Sequence, residues 1–242
     1  MNNMDFAMFT WQDIKKYLVQ KDIILLVTGS YEQHGPLLPL TTDTVIAQYI
    51  AGEVGRLAAI LVAPPVSFGL SELHMAFPGT ISLTETVYKR LIKELVISLY
   101  SHGFNKYVIV NGHGGNTGCL ASVAVELAAE LKIKRPKIFE WWQIAQVQDM
   151  IAKHFSCFEL HASGPEASVY FAIEGIQGKL PTDLCSSYLM PMEQVTRLTP
   201  EGLREISPSG ILGSSPDKYS VRIGKKILRM AIDACLGELE DF

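Results

Sequence analysis

Five consecutive apolar residues, Ile23 to Val27, run straight into a loop rich in Gly, His, Glu and Pro, and then into a helix-like stretch. A strand with one wet face alternates apolar and polar residues, so an unbroken run of this kind describes a strand covered on both faces. The pattern recurs. Ala59 to Val66, Tyr107 to Val110 and Lys137 to Trp142 read as further strands. Asp43 to Arg56 and the Ala- and Leu-rich Asn116 to Ile133 read as helices between them. A third helix starts at Thr84, carries Val87, Leu91, Leu95 and Leu99 on one stripe, and ends at Gly103. Thr10 with Asp13 caps a first helix through Leu18. Glu166 to Ile176 is a further helix, and Lys218 to Leu236 a final one with Gly237 just past its end. Strands alternating with helices imply right-handed crossovers and a largely parallel sheet, an α/β protein. In such sheets ligands sit at the carboxyl ends of the strands.

Length and charge narrow the partners. At roughly 150 residues per domain, 242 residues make one large α/β domain or two small ones. Gly178 to Pro216 is richer in Pro, Ser and Gly and reads as a surface excursion or a subunit contact, not as a domain linker. With 21 basic and 25 acidic residues the net charge is −4, a poor match to nucleic acid or an anionic membrane. Met1 to Thr10 carries no Lys or Arg, unlike a signal peptide, and Pro64, Pro65 and Gly69 interrupt the uncharged stretch Leu57 to Ser71. Cys119, Cys157, Cys185 and Cys235 form no C-x-x-C pair and read as reduced thiols. The expectation is a cytoplasmic protein.

Three loops carry the chemistry. After the first strand come Glu32 and His34, two apart and therefore on one side of an extended segment, followed by Asp43 at a helix start. After the third strand comes Asn111-Gly112-His113-Gly114-Gly115-Asn116. His161 and Glu166 flank a later helix start. Each piece alone has a plainer reading: solvated loop residues, an anion-binding nest, a helix-terminal charge. Jointly they place Glu32, His34, Asp43, His113, His161 and Glu166 at one sheet edge. Imidazoles and carboxylates without thiolate suit Zn²⁺, Mn²⁺ or Fe²⁺. Three carboxylates and two imidazoles are enough for two divalent ions with one carboxylate bridging, which leaves one His to move protons.

Ser30-Tyr31-Glu32-Gln33-His34-Gly35-Pro36 with Leu38-Pro39-Leu40-x-x-Asp43 resembles the first signature of the creatininase (creatinine amidohydrolase) family. Phe68-Gly69-x-Ser71-x-x-His74-x-x-Phe77-Pro78-Gly79-Thr80-Ile81-Ser82-Leu83 resembles the second, Asn111 to Asn116 the third, and His161-Ala162-x-x-x-Glu166-x-Ser168 the fourth. Gly210 to Gly213 and the last helix resemble the family ending. The resemblance implies a three-layer α/β/α fold over 1–242 with a binuclear metal centre, Zn first and Mn or Fe next. Carried over, Glu32 and His113 hold the first metal, Asp43 bridges, His34 holds the second, and His161 shuttles protons. Creatininase uses a Glu after its metal-binding His; here Gly114 and Gly115 stand there, and Glu166 is assigned to the second metal instead. Leu37, Thr41, Ser163, Gly164 and Ala167 also depart from the family pattern.

Ser71, Glu72 and His74 in the second signature loop, Gly114, Gly115 and Asn116 in the third, and Trp141 at a strand end are candidates for holding substrate; core packing is the competing reading for Trp141. The expected activity is hydrolysis of a cyclic amide or formamide C–N bond through a metal-bridging hydroxide. Creatinine is disfavoured by the altered pocket. The alternatives are hydrolysis of a cyclic ketone or a short precursor peptide, and a silent ligand-binding member of the fold. The resemblance further implies a homo-oligomer, commonly a hexamer, acting on a small molecule.

Overall fold

A computed structural model describes residues 4–155, 161–175, 192–195, 197–240 and 242. In chain order the elements are α1 (Trp11–Leu18), β1 (Ile23–Thr28), α2 (Thr42–Ala58), β2 (Leu61–Val62), α3 (Glu85–Ser101) and β3 (Lys106–Asn111). There follow α4 (Thr117–Leu131), β4 (Lys137–Glu140), α5 (Ala145–Phe155), α6 (Gly164–Glu174), α7 (Met192–Val195), α8 (Pro200–Ile206) and α9 (Val221–Glu240). The four strands form one parallel sheet in the order β2-β1-β3-β4.

Side-chain alternation along the strands divides the core into two layers. Ile23, Leu25 and Val27 of β1 and Val108 and Val110 of β3 pack with α2, α5, α6 and α9. Ile24 and Leu26 of β1 and Tyr107 and Ile109 of β3 pack on the other face with α3 and α4. The result is the three-layer α/β/α arrangement, with every residue of β1 buried. α1 opens with a capping box, Thr10 and Asp13 bonding each other's main chain as their spacing predicts.

Four sequence expectations shift. The second strand is only Leu61–Val62, because Pro64 and Pro65 lack the N–H a ladder needs; the chain still touches β1 through Ala63 and Val66. On α3 the buried stripe is Tyr88, Ile92 and Val96, while Val87 is 52% and Leu95 38% exposed. The apolar positions there describe two adjoining stripes, and the sheet takes the one containing Tyr88. β4 ends at Glu140, and Trp141–Gln143 turn into a short 3₁₀ segment. The last helix starts at Val221 and runs through Gly237 to Glu240. Residues 178–191 and 196 of the Gly178 to Pro216 excursion, and Cys157 and Cys185, lie outside the described residues; Cys119 and Cys235 are buried free thiols. Among the described residues no helix is long and apolar enough to cross a membrane.

Candidate metal centre

Three chain turns at the carboxyl edge of the sheet converge on one buried polar cluster. Glu32 and His34 follow β1, Asp43 sits in the first turn of α2, His113 follows β3, and Glu166 lies in the first turn of α6. Isolated carboxylates and imidazoles do not stay buried; each needs a partner or an ion.

Asp43 is the centre of the cluster. Its Oδ1 lies 2.9 Å from His34 Nε2, and its Oδ2 lies 3.0 Å from His113 Nδ1. Ser30 Oγ donates to Oδ2 at 2.8 Å. Glu32 Oε1 is 3.3 Å from His113 Nδ1 and 3.5 Å from His161 Nδ1. His34 Nε2 is 4.0 Å from Glu166 Oε1. The second nitrogen of each central imidazole is tied to the main chain: His34 Nδ1 donates to the Glu32 carbonyl and His113 Nε2 to the Leu70 carbonyl, both at 3.0 Å. This tether fixes which nitrogen faces inward, the usual arrangement around a metal-ligating histidine.

The cluster divides into triads that could hold an ion. Glu32, Asp43 and His113 form one; His34, Asp43 and Glu166 form another, each with donor atoms within 4.8 Å of one another. Asp43 belongs to both. Glu32, His34 and His161 form a third such group. Glu32 Oε2 and Glu166 Oε2 are buried without a hydrogen-bond partner. Orphaned carboxyl oxygens beside inward-facing imidazoles fit a divalent cation.

The electrostatics agree. Burial opposes charge on Asp43, yet His34 and His113 hold its carboxyl well below the usual range. Glu32 is likewise lowered, against burial, by His113 and His74. Burial would discharge His34 and His113; instead Asp43 lifts His34 to about 10, and Glu32 with Asp43 raises His113 well above its ordinary value. In the bare protein, protons on the inward nitrogens thus stand where cations would. Burial pushes Glu166 up to about 7. Burial and the neighbouring His74 and His34 keep His161 well below its ordinary value, so this ring is neutral.

The other candidate residues divide. His74 is in the cluster, its Nε2 3.8 Å from Glu32 Oε1. Ser71 is buried with no partner for its hydroxyl. Asn116 is a brace: its amide donates to the Gly29 carbonyl and accepts from Leu70 N, both at 3.0 Å. Gly114 and Gly115 are exposed. A Cβ built on Gly115 would collide with His113 Nε2 and the Leu70 carbonyl, so no side chain fits there without moving the histidine tether. Glu72 is exposed and outside the cluster. Trp141 is 4% exposed and packs within the core layer against α5 and α9, not in the polar cluster.

The sequence reading passed over several residues. Asn111 bonds the main chain of His113 on both sides and donates to Glu140 Oε1 at 2.7 Å. Thr117 donates to the same oxygen at 2.6 Å. Gln33 touches both His74 and His161. Its neighbours in sequence, Glu32 and His34, were the signal; strict alternation in an extended segment turned attention away from the residue between them.

Fold and cluster together define a class: α/β/α proteins with a shared His–carboxylate centre at the carboxyl edge of a parallel sheet. The family model for creatininase, described as creatinine amidohydrolase, matches residues 7–239. A mycofactocin precursor peptide peptidase of Mycolicibacterium smegmatis is 32% identical over 224 residues, 90% of this chain and 84% of that protein. The 2-amino-5-formylamino-6-ribosylaminopyrimidin-4(3H)-one 5'-monophosphate deformylase of Methanococcus voltae is 30% identical over 118 residues, 48% of this chain and 45% of that one. A solved creatininase variant of Zn–Zn type superposes with a TM-score of 0.83 at 19% identity, covering 100% of this chain and 98% of that one. That likeness shows a shared fold. The chain belongs to the creatininase family, whose members named here are hydrolases of C–N bonds.

Proposed function

We propose that this chain is a binuclear metal-dependent amidohydrolase that cleaves the C–N bond of a small cyclic amide or formamide. The single observation that carries the reading is Asp43, whose two oxygens face two separate triads. Glu32, Asp43 and His113 would hold one ion; His34, Asp43 and Glu166 would hold the other. Zinc is the first choice for this donor set, followed by manganese or iron. Ions held there supply an acidified water and a positive field for the charge that develops on the carbonyl oxygen.

The chain's own groups do the rest. His161, neutral and buried, takes up a proton and returns it to the leaving nitrogen. Ser71, His74 and the exposed main chain of Gly114 and Gly115 hold and orient the substrate. Glu72 and Trp141 lie outside the cluster and take no part in this reading.

A second reading has one observation in its favour. The mycobacterial relative that matches 90% of this chain is a peptidase of a precursor peptide, so a short peptide is the alternative C–N substrate. Closed homo-oligomers, a hexamer in this family, and a cytoplasmic location belong to the same proposal. The exposed Val87 and Leu95 of α3 and Val125 of α4 are consistent with subunit burial.

The test is metal content and turnover of the wild-type chain beside Asp43→Ala. Two divalent ions per chain, lost in the variant, with hydrolysis of cyclic amides or formamides, would support the proposal. A wild-type chain that takes up neither Zn²⁺ nor Mn²⁺ would sink it. Cleavage of short peptides alone would select the second reading.

A further inference from the structure

Every polar group of Gln33 is engaged. Its N–H donates to Thr80 Oγ1 at 3.0 Å, and its carbonyl lies 2.7 Å from His161 Nε2. The side-chain Oε1 accepts from the Gly35 N–H at 2.9 Å, which orients the amide, because a main-chain N–H can only donate. Nε2 then faces three neighbours: His74 Nδ1 and His161 Nε2 at 2.9 Å, and the Gly210 carbonyl at 3.0 Å. The amide has two hydrogens to give.

A carbonyl only accepts, so the contact between the Gln33 carbonyl and His161 requires a proton on His161 Nε2. A protonated nitrogen cannot also accept from the amide. The two amide hydrogens therefore go to the Gly210 carbonyl and to His74 Nδ1. In its neutral form His74 carries its proton on Nε2, facing Glu32. His161 turns a bare Nδ1 toward Glu32 Oε1. The two rings lie against each other with centroids 4.3 Å apart.

We propose that Gln33 is a positioning residue that sets which nitrogen of His74 and which of His161 carries the proton. The proposal rests on the reading of His161 as the proton carrier, since it makes Nδ1 the nitrogen that receives the proton. Its support reaches a distant loop. Gly210 has a φ of +78°, and a Cβ built there would collide with the Gln33 amide. The glycine at the start of the Gly210 to Gly213 segment thus lets a carbonyl close on Gln33.

Long-range proton–nitrogen correlation spectra of the full chain, labelled with ¹⁵N-histidine, test this without any substrate. Rings are assigned by the loss of signals in His74→Asn and His161→Asn. Both rings are expected to show the Nε2–H pattern in the metal-free wild type. Gln33→Glu puts an acceptor beside His74 Nδ1 and moves His74 to the Nδ1–H form. His161, tied to the main chain, keeps its pattern in that variant. Gly210→Ala, which presses on the amide and alters no histidine, displaces the His74 signals as well. In the zinc-loaded chain Gln33→Glu lowers kcat ~10–100-fold with KM little changed, as expected of a residue behind the reacting groups. An Nδ1–H pattern for either ring in the wild type overturns the proposal, and so does an unchanged His74 in Gln33→Glu. The wild-type spectrum decides even if a variant fails to fold. Tautomers as stated in the metal-free chain, with no amide hydrolysed once zinc is loaded, support this proposal and overturn the hydrolase reading alone.

Discussion

The triad of Glu32, Asp43 and His113 is clamped from several directions, whereas the triad of His34, Asp43 and Glu166 is completed by one loosely held carboxylate. His113 is tethered through its ring to Leu70, through its main chain to Asn111, and behind Asn111 to Glu140 and Thr117. Glu166 has a 17% exposed side chain, stands 4.0 Å from His34, and is held by the Ala162 main chain, while one of its oxygens, like Glu32 Oε2, has no partner. The contrast separates two ways of making a site. Where the donors are held by bonds that exist without the ion, little ordering remains for binding to accomplish. Where a donor is held by fewer such bonds, the ion itself must complete its fixing, and affinity falls accordingly.

Removing the shared carboxylate is the severest way to break this comparison. Asp43→Ala should abolish both halves, leaving near-zero metal by elemental analysis and lowering turnover by ~10³-fold or more. Next come the two half-specific changes. His113→Ala should lose the tighter ion, while Glu166→Gln should keep it and lose the weaker one. Competition titration with a zinc chelator reads both, and equal losses in the two variants would erase the distinction drawn here. Smaller still is the brace. Glu140→Gln weakens the support of Asn111 and should cost ~10–100-fold in affinity at the first half with the second spared.

The finest test is proton release on metal uptake. Sign and window follow from the groups involved. Glu32 and Asp43 are already ionised in the bare cluster, so the first half displaces only the His113 proton. At the second half His34 holds its proton to about 10 and Glu166 holds one to about 7. Binding there should release two protons below about pH 7 and one above it, so second-ion affinity rises more steeply with pH up to that point. Titration in weak buffer across that range would show a change of slope for the second ion and none for the first.

Much of this was readable from the residues. The apolar run at Ile23 to Val27 announced a two-faced strand, and the loops after β1 and β3 fall at one sheet edge because parallel strands share a direction. Donor types at those loops then named the cluster. Other parts were not readable, for specific reasons. On α3, two apolar stripes lie side by side, and only docking on the sheet decides that Tyr88, Ile92 and Val96 turn inward. Trp141 follows a strand end, where an aromatic ring serves a pocket or a core equally well; the turn at Trp141–Gln143 sends it to the core. Gln33 was hidden because its partners come from residues 74, 161 and 210, contacts no local pattern encodes.

The placement of Glu166 also sets a timetable. A side chain at Gly115 would strike the His113 tether, and the carboxylate that joins His34 and Asp43 in the second triad comes from α6. On a ribosome, Glu32, His34, Asp43 and His113 all emerge before it. Roughly 50 further residues separate His113 from Glu166, several seconds of synthesis at about 5–20 residues per second. During that interval the residues of one candidate triad are already made and the other lacks its last carboxylate, which arrives with α6, packed against α2 and α9.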